Sequence, residues 1–217
     1  MSLPIVVAIT GASGAVYARR LLSVLHHCGY DVQLSISTSG QTVFQQELGI
    51  RLELDNFDPW TLVPPQVEPG DTALAKTVEL NHAQEPGTLS YYHFADFMSP
   101  MASGSARSAG MVVCPCSGGT LSGIVNGTCT NLIQRAAEVH LKERRKLILV
   151  PRETPLSLGY IDNLRKAVEA GAVVMPAMPG WYHGVKSLDD LIDFMVARIL
   201  DQLAIPHALM HRWGDDA

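Results

Sequence analysis

The stretch that most constrains the fold is Ile5-Val6-Val7-Ala8-Ile9-Thr10-Gly11-Ala12-Ser13-Gly14-Ala15-Val16-Tyr17-Ala18. A β-branched apolar run stops at a turn of small residues, and a helical pattern begins at once. Such a run is a strand buried on both faces, and the turn after it is a βα connection. Glycines let the backbone turn sharply and approach a ligand closely. The first amides of the following helix have no partner within it, and with the helix dipole they favour an anion. A Gly-x-x-Gly turn is weaker than a full dinucleotide fingerprint, so phosphate binding and a plain βα turn with Ser13 near the N-cap stay equally open.

The same unit recurs along the chain. Residues 31–37 alternate with period two and end on Ser37-Thr38-Ser39-Gly40, with a helix expected from Gln41 to Leu48. Residues 111–115 form a buried strand that runs into Cys116-Ser117-Gly118-Gly119-Thr120, and 131–143 are helical. Residues 146–150 form a strand ending in Pro151-Arg152-Glu153-Thr154-Pro155, with a helix over 160–170. Residues 172–175 form a further strand, and a last helix runs from the N-cap Ser187 to Leu203. Alternating strands and helices predict an α/β, Rossmann-like (flavodoxin-like) three-layer sandwich around a mostly parallel sheet. Its ligand edge is the carboxyl end of the strands. Residues 1–217 read as one domain. Prolines at 59, 64, 65, 69, 86 and 100 make about 50–108 an irregular excursion from the core, with a short helix over 74–80 and an extended piece over 90–94.

Composition narrows the function. Charged residues are 17% and hydrophobic residues 47% of the chain, too few charges to cover a monomer, so a homo-oligomer is expected. A net charge of −5 argues against nucleic acid as a partner. No apolar run is long enough to span a bilayer, and the N-terminus lacks the basic region of a signal peptide, so neither membrane association nor secretion is expected. Cys28, Cys114, Cys116 and Cys129 match no zinc spacing or disulfide framework. They read as free thiols in a reducing cytoplasm, and no metal is expected.

Ser37, Ser117 and Thr120 cap helices or form turns when taken singly. Together with two Gly/Ser turns at one sheet edge, they could hold the phosphate and ring edge of a nucleotide. Ser37 stands where a dinucleotide enzyme would place an acidic ribose ligand, which favours a flavin over NAD. Arg135, Glu138 and Lys142 share one helix face, as either a solvated stripe or an anion site. Arg152 and Glu153 stand between prolines at a strand end, as either an ion pair or an anion ligand beside a proton donor. Tyr182 and His183 follow the last strand, and Arg198 lies on the final helix.

Gly11-Ala12-Ser13-Gly14-Ala15, Cys114-Pro115-Cys116-Ser117, Leu141-Lys142-Glu143-Arg144-Arg145, Val150-Pro151-Arg152-Glu153-Thr154-Pro155, Pro179-Gly180-Trp181-Tyr182-His183, Ser187-Leu188-Asp189-Asp190 and Arg212-Trp213-Gly214 occur in this order. On these blocks the chain closely resembles the UbiX-type flavin prenyltransferases, formerly described as aromatic acid decarboxylases. The resemblance covers all but about 50–95. It implies transfer of a dimethylallyl group from dimethylallyl phosphate to N5 and C6 of reduced FMN, without a metal. The product, prenylated FMN, would serve a UbiD-type decarboxylase. By the resemblance Gly11, Ala12, Ser13, Ser37, Ser117, Gly118, Gly119, Thr120 and Arg152 hold FMN. Arg135, Lys142, Tyr182 and Arg198 hold the donor, Glu153 manages protons at the departing phosphate, and Glu47 sits near the site. It further implies a dodecamer with sites at subunit junctions, and Trp213 and the flavin as walls around an allylic cation. Two readings compete. One is an FMN-dependent cysteine-type decarboxylase, although its Pro-x-Met-Asn stretch corresponds here to Pro176-Ala177-Met178-Pro179. The other is a non-catalytic flavin-binding subunit.

Overall fold

The computed structural model describes residues 3–214; residues 1–2 and 215–217 of the expected domain lie outside the described residues. Six strands form one all-parallel sheet in the order β3-β2-β1-β4-β5-β6. They are β1 (Ile5–Ile9), β2 (Val32–Ile36), β3 (Leu89–Tyr91), β4 (Gly110–Cys116), β5 (Leu147–Pro151) and β6 (Val173–Val174). β1 pairs with β2 from Ile5↔Val32 to Ile9↔Ile36 and with β4 from Ile5↔Gly110 to Ala8↔Val113. Every residue of β1, β4 and β5 is buried, as strands covered on both faces must be.

The side-chain alternation of β1 divides the core. Ile5, Val7 and Ile9 point to one face, where they pack with α1 (Ala15–His27) and α7 (Leu188–Leu203). Val6 and Ala8 point to the other, against α4 (Gly118–Val125), α5 (Leu132–Lys142) and α6 (Leu158–Glu169). Burying one such aliphatic side chain contributes about 1.5–3 kcal/mol. α7 starts with a capping box, Ser187 accepting from the Asp190 amide while Asp190 accepts from Ser187 N at 2.8 Å.

Two expectations need correction. α2 spans Thr38–Leu48, so Thr38-Ser39-Gly40 is its first turn rather than a loop, capped by Ser37 Oγ accepting from Gly40 N at 3.0 Å. Residues 50–108 are also less of an excursion than their prolines suggest. β3 pairs with β2 as an edge strand, and α3 (Thr72–Leu80) packs on α1. Leu52, Leu62, Val63 and Leu74 are all buried in the main core.

The strand order reverses direction between β1 and β4, the point where a doubly wound sheet opens a crevice at its carboxyl edge. The two strands are tied there. Thr10 Oγ1 donates to Pro115 O and accepts from Ser117 N, both at 2.8 Å. Among the described residues no helix is long and apolar enough to cross a membrane.

Candidate active site

The glycine turn after β1 and the Ser/Gly turn after β4 flank this crevice. Gly14 has φ 126°, a left-handed conformation that suits glycine, and directs the chain into α1. A Cβ on Gly11 would stand 2.3 Å from the Ser39 Cβ, so the absence of a side chain lets the first turn of α2 close over the end of β1. Two amides at the start of α1 already have a partner within the protein. Glu47, near the end of α2, accepts from Gly14 N at 3.0 Å and Ala15 N at 2.9 Å. Burial raises its pKa, but bonds from Ser13, Gly14 and Ala15 and the charge of Arg152 outweigh that and hold it below the usual carboxylate value.

The second turn is more open. Ser117 caps α4 by accepting from Thr120 N at 3.3 Å, and its hydroxyl donates to Thr120 Oγ1 at 3.0 Å. A Cβ on Gly119 would meet no atom within 4 Å, so space lies over the first turn of α4. First-turn amides, two hydroxyls and Arg152 make a donor set for a phosphate and for the polar edge of a flavin, and the residues present fit FMN.

Arg152 and Glu153 follow β5 directly and lie beside these turns. Arg152 acts electrostatically on Glu47 and also on Tyr160. Tyr160 packs its ring 3.0 Å from where a Gly118 Cβ would be, and Glu153 Oε2 is 3.8 Å from that point. Burial pushes the Tyr160 phenol up to about 12, with Cys116 and Glu153 adding to the rise. Its hydroxyl is buried without a partner. Sequence reasoning took Tyr160 as a helix residue only; it meets Gly118 across 42 positions of chain, a pairing with no local signal.

The expected donor-binding cations are placed elsewhere, each beside a carboxylate. Arg135 Nη1 is 2.7 Å from Glu138 Oε2, with its Nε donating to Ala102 O at 3.1 Å. Lys142 Nζ is 2.7 Å from Glu143 Oε1, and Arg198 Nη1 is 2.7 Å from Asp201 Oδ2. All three side chains are between one-third and one-half exposed, so each keeps N–H groups open to an anion.

Lys142 ends α5, which runs antiparallel to the strands, and it lies against Gly104 just ahead of β5. That is the amino edge of the sheet, whereas Glu153 lies beyond the carboxyl edge. A helix of 11 residues spans about 16 Å, so one chain does not bring Lys142 to Glu153.

Tyr182 is exposed and stands edge-on to Phe194 and to Trp213, with ring centroids 5.7 and 5.8 Å away. The adjacent Arg212 reaches Asp201, which joins Arg198, Arg212, Trp213 and Tyr182 into one cluster. Asp201 and Arg212 had no place among the expected site residues.

Among the described residues no group of three or more histidine, cysteine or acidic side chains is arranged to hold a metal ion. Cys28, Cys114 and Cys116 are buried free thiols and Cys129 is half-buried. Burial pushes the Cys116 thiol up to about 12, which makes it a packing residue rather than a nucleophile.

The family model described as Flavoprotein matches residues 1–200. Over 210 residues the chain is 42% identical to a protein named flavin prenyltransferase UbiX from Halalkalibacterium halodurans, covering 97% of this chain and 93% of that one. A crystal structure of AnUbiX (PadA1) in complex with FMN and dimethylallyl pyrophosphate superposes with a TM-score of 0.79 at 34% identity, covering 99% of this chain and 98% of that one. A dodecameric FMN-dependent UbiX-like decarboxylase from Escherichia coli O157:H7 gives 0.75 at 33% identity, covering 97% and 98%.

Proposed function

From the premise that this chain belongs to the Flavoprotein family and, within it, to the UbiX flavin prenyltransferases, we propose that it joins a dimethylallyl group to reduced FMN. The carrying observation is the likeness over 99% of the chain to a structure that holds FMN and a dimethylallyl donor. We take dimethylallyl phosphate as the donor, prenylated FMN as the product and a UbiD-type decarboxylase as its recipient. Four unpaired thiols suit a reducing cytoplasm. The whole chain acts as one flavoprotein domain, assembled as a dodecamer.

In this reading Gly11, Ala12, Ser13, Ser37, Ser117 to Thr120 and Arg152 hold FMN. When bound, it supplies the nucleophilic N5 and C6 atoms that receive the prenyl group. Breaking the donor's C–O bond leaves negative charge on the departing phosphate. Preset cations stabilise that charge without reorganising, and Arg135, Lys142 and Arg198 are the cations proposed. Tyr182 donates a hydrogen bond to the phosphate, and Glu153 carries a proton to or from it. Trp213 offers an aromatic face to an allylic cation. Glu47 has a positioning part, since its carboxylate already holds Gly14 and Ala15.

Incubation with reduced FMN and dimethylallyl phosphate without oxygen, followed by mass spectrometry of the extracted flavin, tests the proposal. A gain of one isoprene unit, lost in Glu153→Gln, is expected. Unmodified flavin released from well-folded protein overturns it.

A further inference from the structure

α7 ends beside a charge cluster that the donor-site reading leaves unexplained. Asp201 lies three residues after Arg198 and accepts from Arg198 Nη1 on Oδ2 at 2.7 Å. Its other oxygen, Oδ1, accepts from Arg212 Nη2 at 2.7 Å and lies 3.0 Å from His207 Nε2. The His207 side chain is fully buried, and its Nδ1 has no partner. Burial and the nearby Arg212 and Arg198 charges favour neutral His207, against the pull of Asp201. One carboxylate is therefore shared by two guanidiniums, one on each of its oxygens. Arg198 is oriented by Asp201, and its remaining N–H groups stay available to an anion.

Arg212 belongs to a C-terminal segment that is also anchored at its base. Ile205 and Leu209 are buried in the main core. Asn81, the C-cap of α3, donates through Nδ2 to Pro206 O at 2.9 Å. Ala208 N donates to Thr77 Oγ1 within α3 at 3.0 Å. The residue after Arg212 is Trp213, 85% exposed and edge-on to Tyr182. Asp201 thus ties the Arg198 guanidinium to the segment that brings Trp213 to Tyr182, and α3 fixes the base of that segment.

We propose that Asp201 is a positioning residue of the donor subsite, aiming Arg198 and pinning Arg212 so that Arg198, Tyr182 and Trp213 meet the prenyl donor as one preset surface. The inference rests on the reading of Arg198 and Tyr182 as donor-binding residues. A preset surface lowers the ordering that binding and reaction would otherwise require.

The test is steady-state prenyl transfer by the full-length protein with dimethylallyl phosphate varied, alongside FMN titration of each variant. Asp201→Asn should raise the KM for dimethylallyl phosphate about tenfold, the scale on which a misplaced binding group is felt, and leave FMN affinity within about twofold. In an Arg198→Ala background the same change should add clearly less than it does alone, because only the Arg212 arm of the clamp remains to be held. Arg212→Gln breaks the clamp from its other side and should also raise the donor KM, which keeps the test usable if Asp201→Asn fails to fold. An unchanged donor KM in Asp201→Asn, or in Arg212→Gln used in its place, overturns the inference when Arg198→Ala raises it. Full additivity in the double variant does the same. An unchanged donor KM in Arg198→Ala overturns the donor-site reading, and the inference with it.

Discussion

At the scale of single residues, Glu47 carries the clearest electrostatic consequence. Its carboxylate receives the Gly14 and Ala15 amides at the positive end of α1. Its folded pKa is lowered, so its stabilisation is present above the unfolded value and disappears as pH falls through the folded value. Glu47→Gln keeps the shape and removes the charge. The variant should lose about 0.5–1 kcal/mol at pH 7, and the gap from the parent should close as pH falls below the ordinary carboxylate range. Urea denaturation across pH measures it, and a gap that does not shrink at all as pH falls through the carboxylate range argues against a charge-based cap. Only the family resemblance put Glu47 near the site, and no sequence pattern pointed to its partners, because its contacts lie 32 and 33 residues away in chain.

At the scale of elements, Arg20 is the fastening between α1, α3 and α7. Its Nε lies 2.6 Å from Asp193 Oδ1 on α7, and its Nη2 bonds Asp193 Oδ2 at 3.0 Å and Asp71 Oδ1 at 3.1 Å. Asp71 also caps α3 by accepting from Leu74 N at 3.0 Å. Arg20 raises neither carboxylate's pKa; burial raises that of Asp193 while the Arg20 bonds keep Asp71 below its usual value. Arg20→Met strands two carboxylates that are mostly buried, at a cost of about 3 kcal/mol. Thermal unfolding should show that loss, and proteolysis should first cut residues 62–74, which the clip holds to the core. Simultaneous protection of that loop in the variant would mean that apolar packing alone secures it. The βα units were legible in the sequence because period-two strands, Gly/Ser turns and N-caps are local signals. β3 was not. Three residues without a period join the sheet only because β2 offers an open edge 55 or more positions earlier, and proline spacing says nothing about that.

At the scale of the whole molecule, the division of the candidate site across the sheet makes a prediction about assembly. Lys142 ends α5 at the amino edge, and Glu153 lies beyond the carboxyl edge. Local patterns showed that both residues carry charge in ordered positions; which chain they serve is a property of packing between copies. Leu158, Trp181 and Trp213 are 76%, 71% and 85% exposed, large apolar surfaces of the kind that contacts between copies cover. If Lys142 of one copy serves Glu153 of another, Lys142→Ala and Glu153→Gln proteins should each be inactive alone and active together. In a site built from two copies, random mixing in equal amounts leaves about one site in four with both native residues. Co-expressed variants should then recover about a quarter of parental prenyl transfer, with mixed oligomers verified by native mass spectrometry. Mixed oligomers without recovery would mean that each chain supplies both residues to its own site, which requires α5 or the β5 loop to move along the length of the strands, from one edge of the sheet to the other.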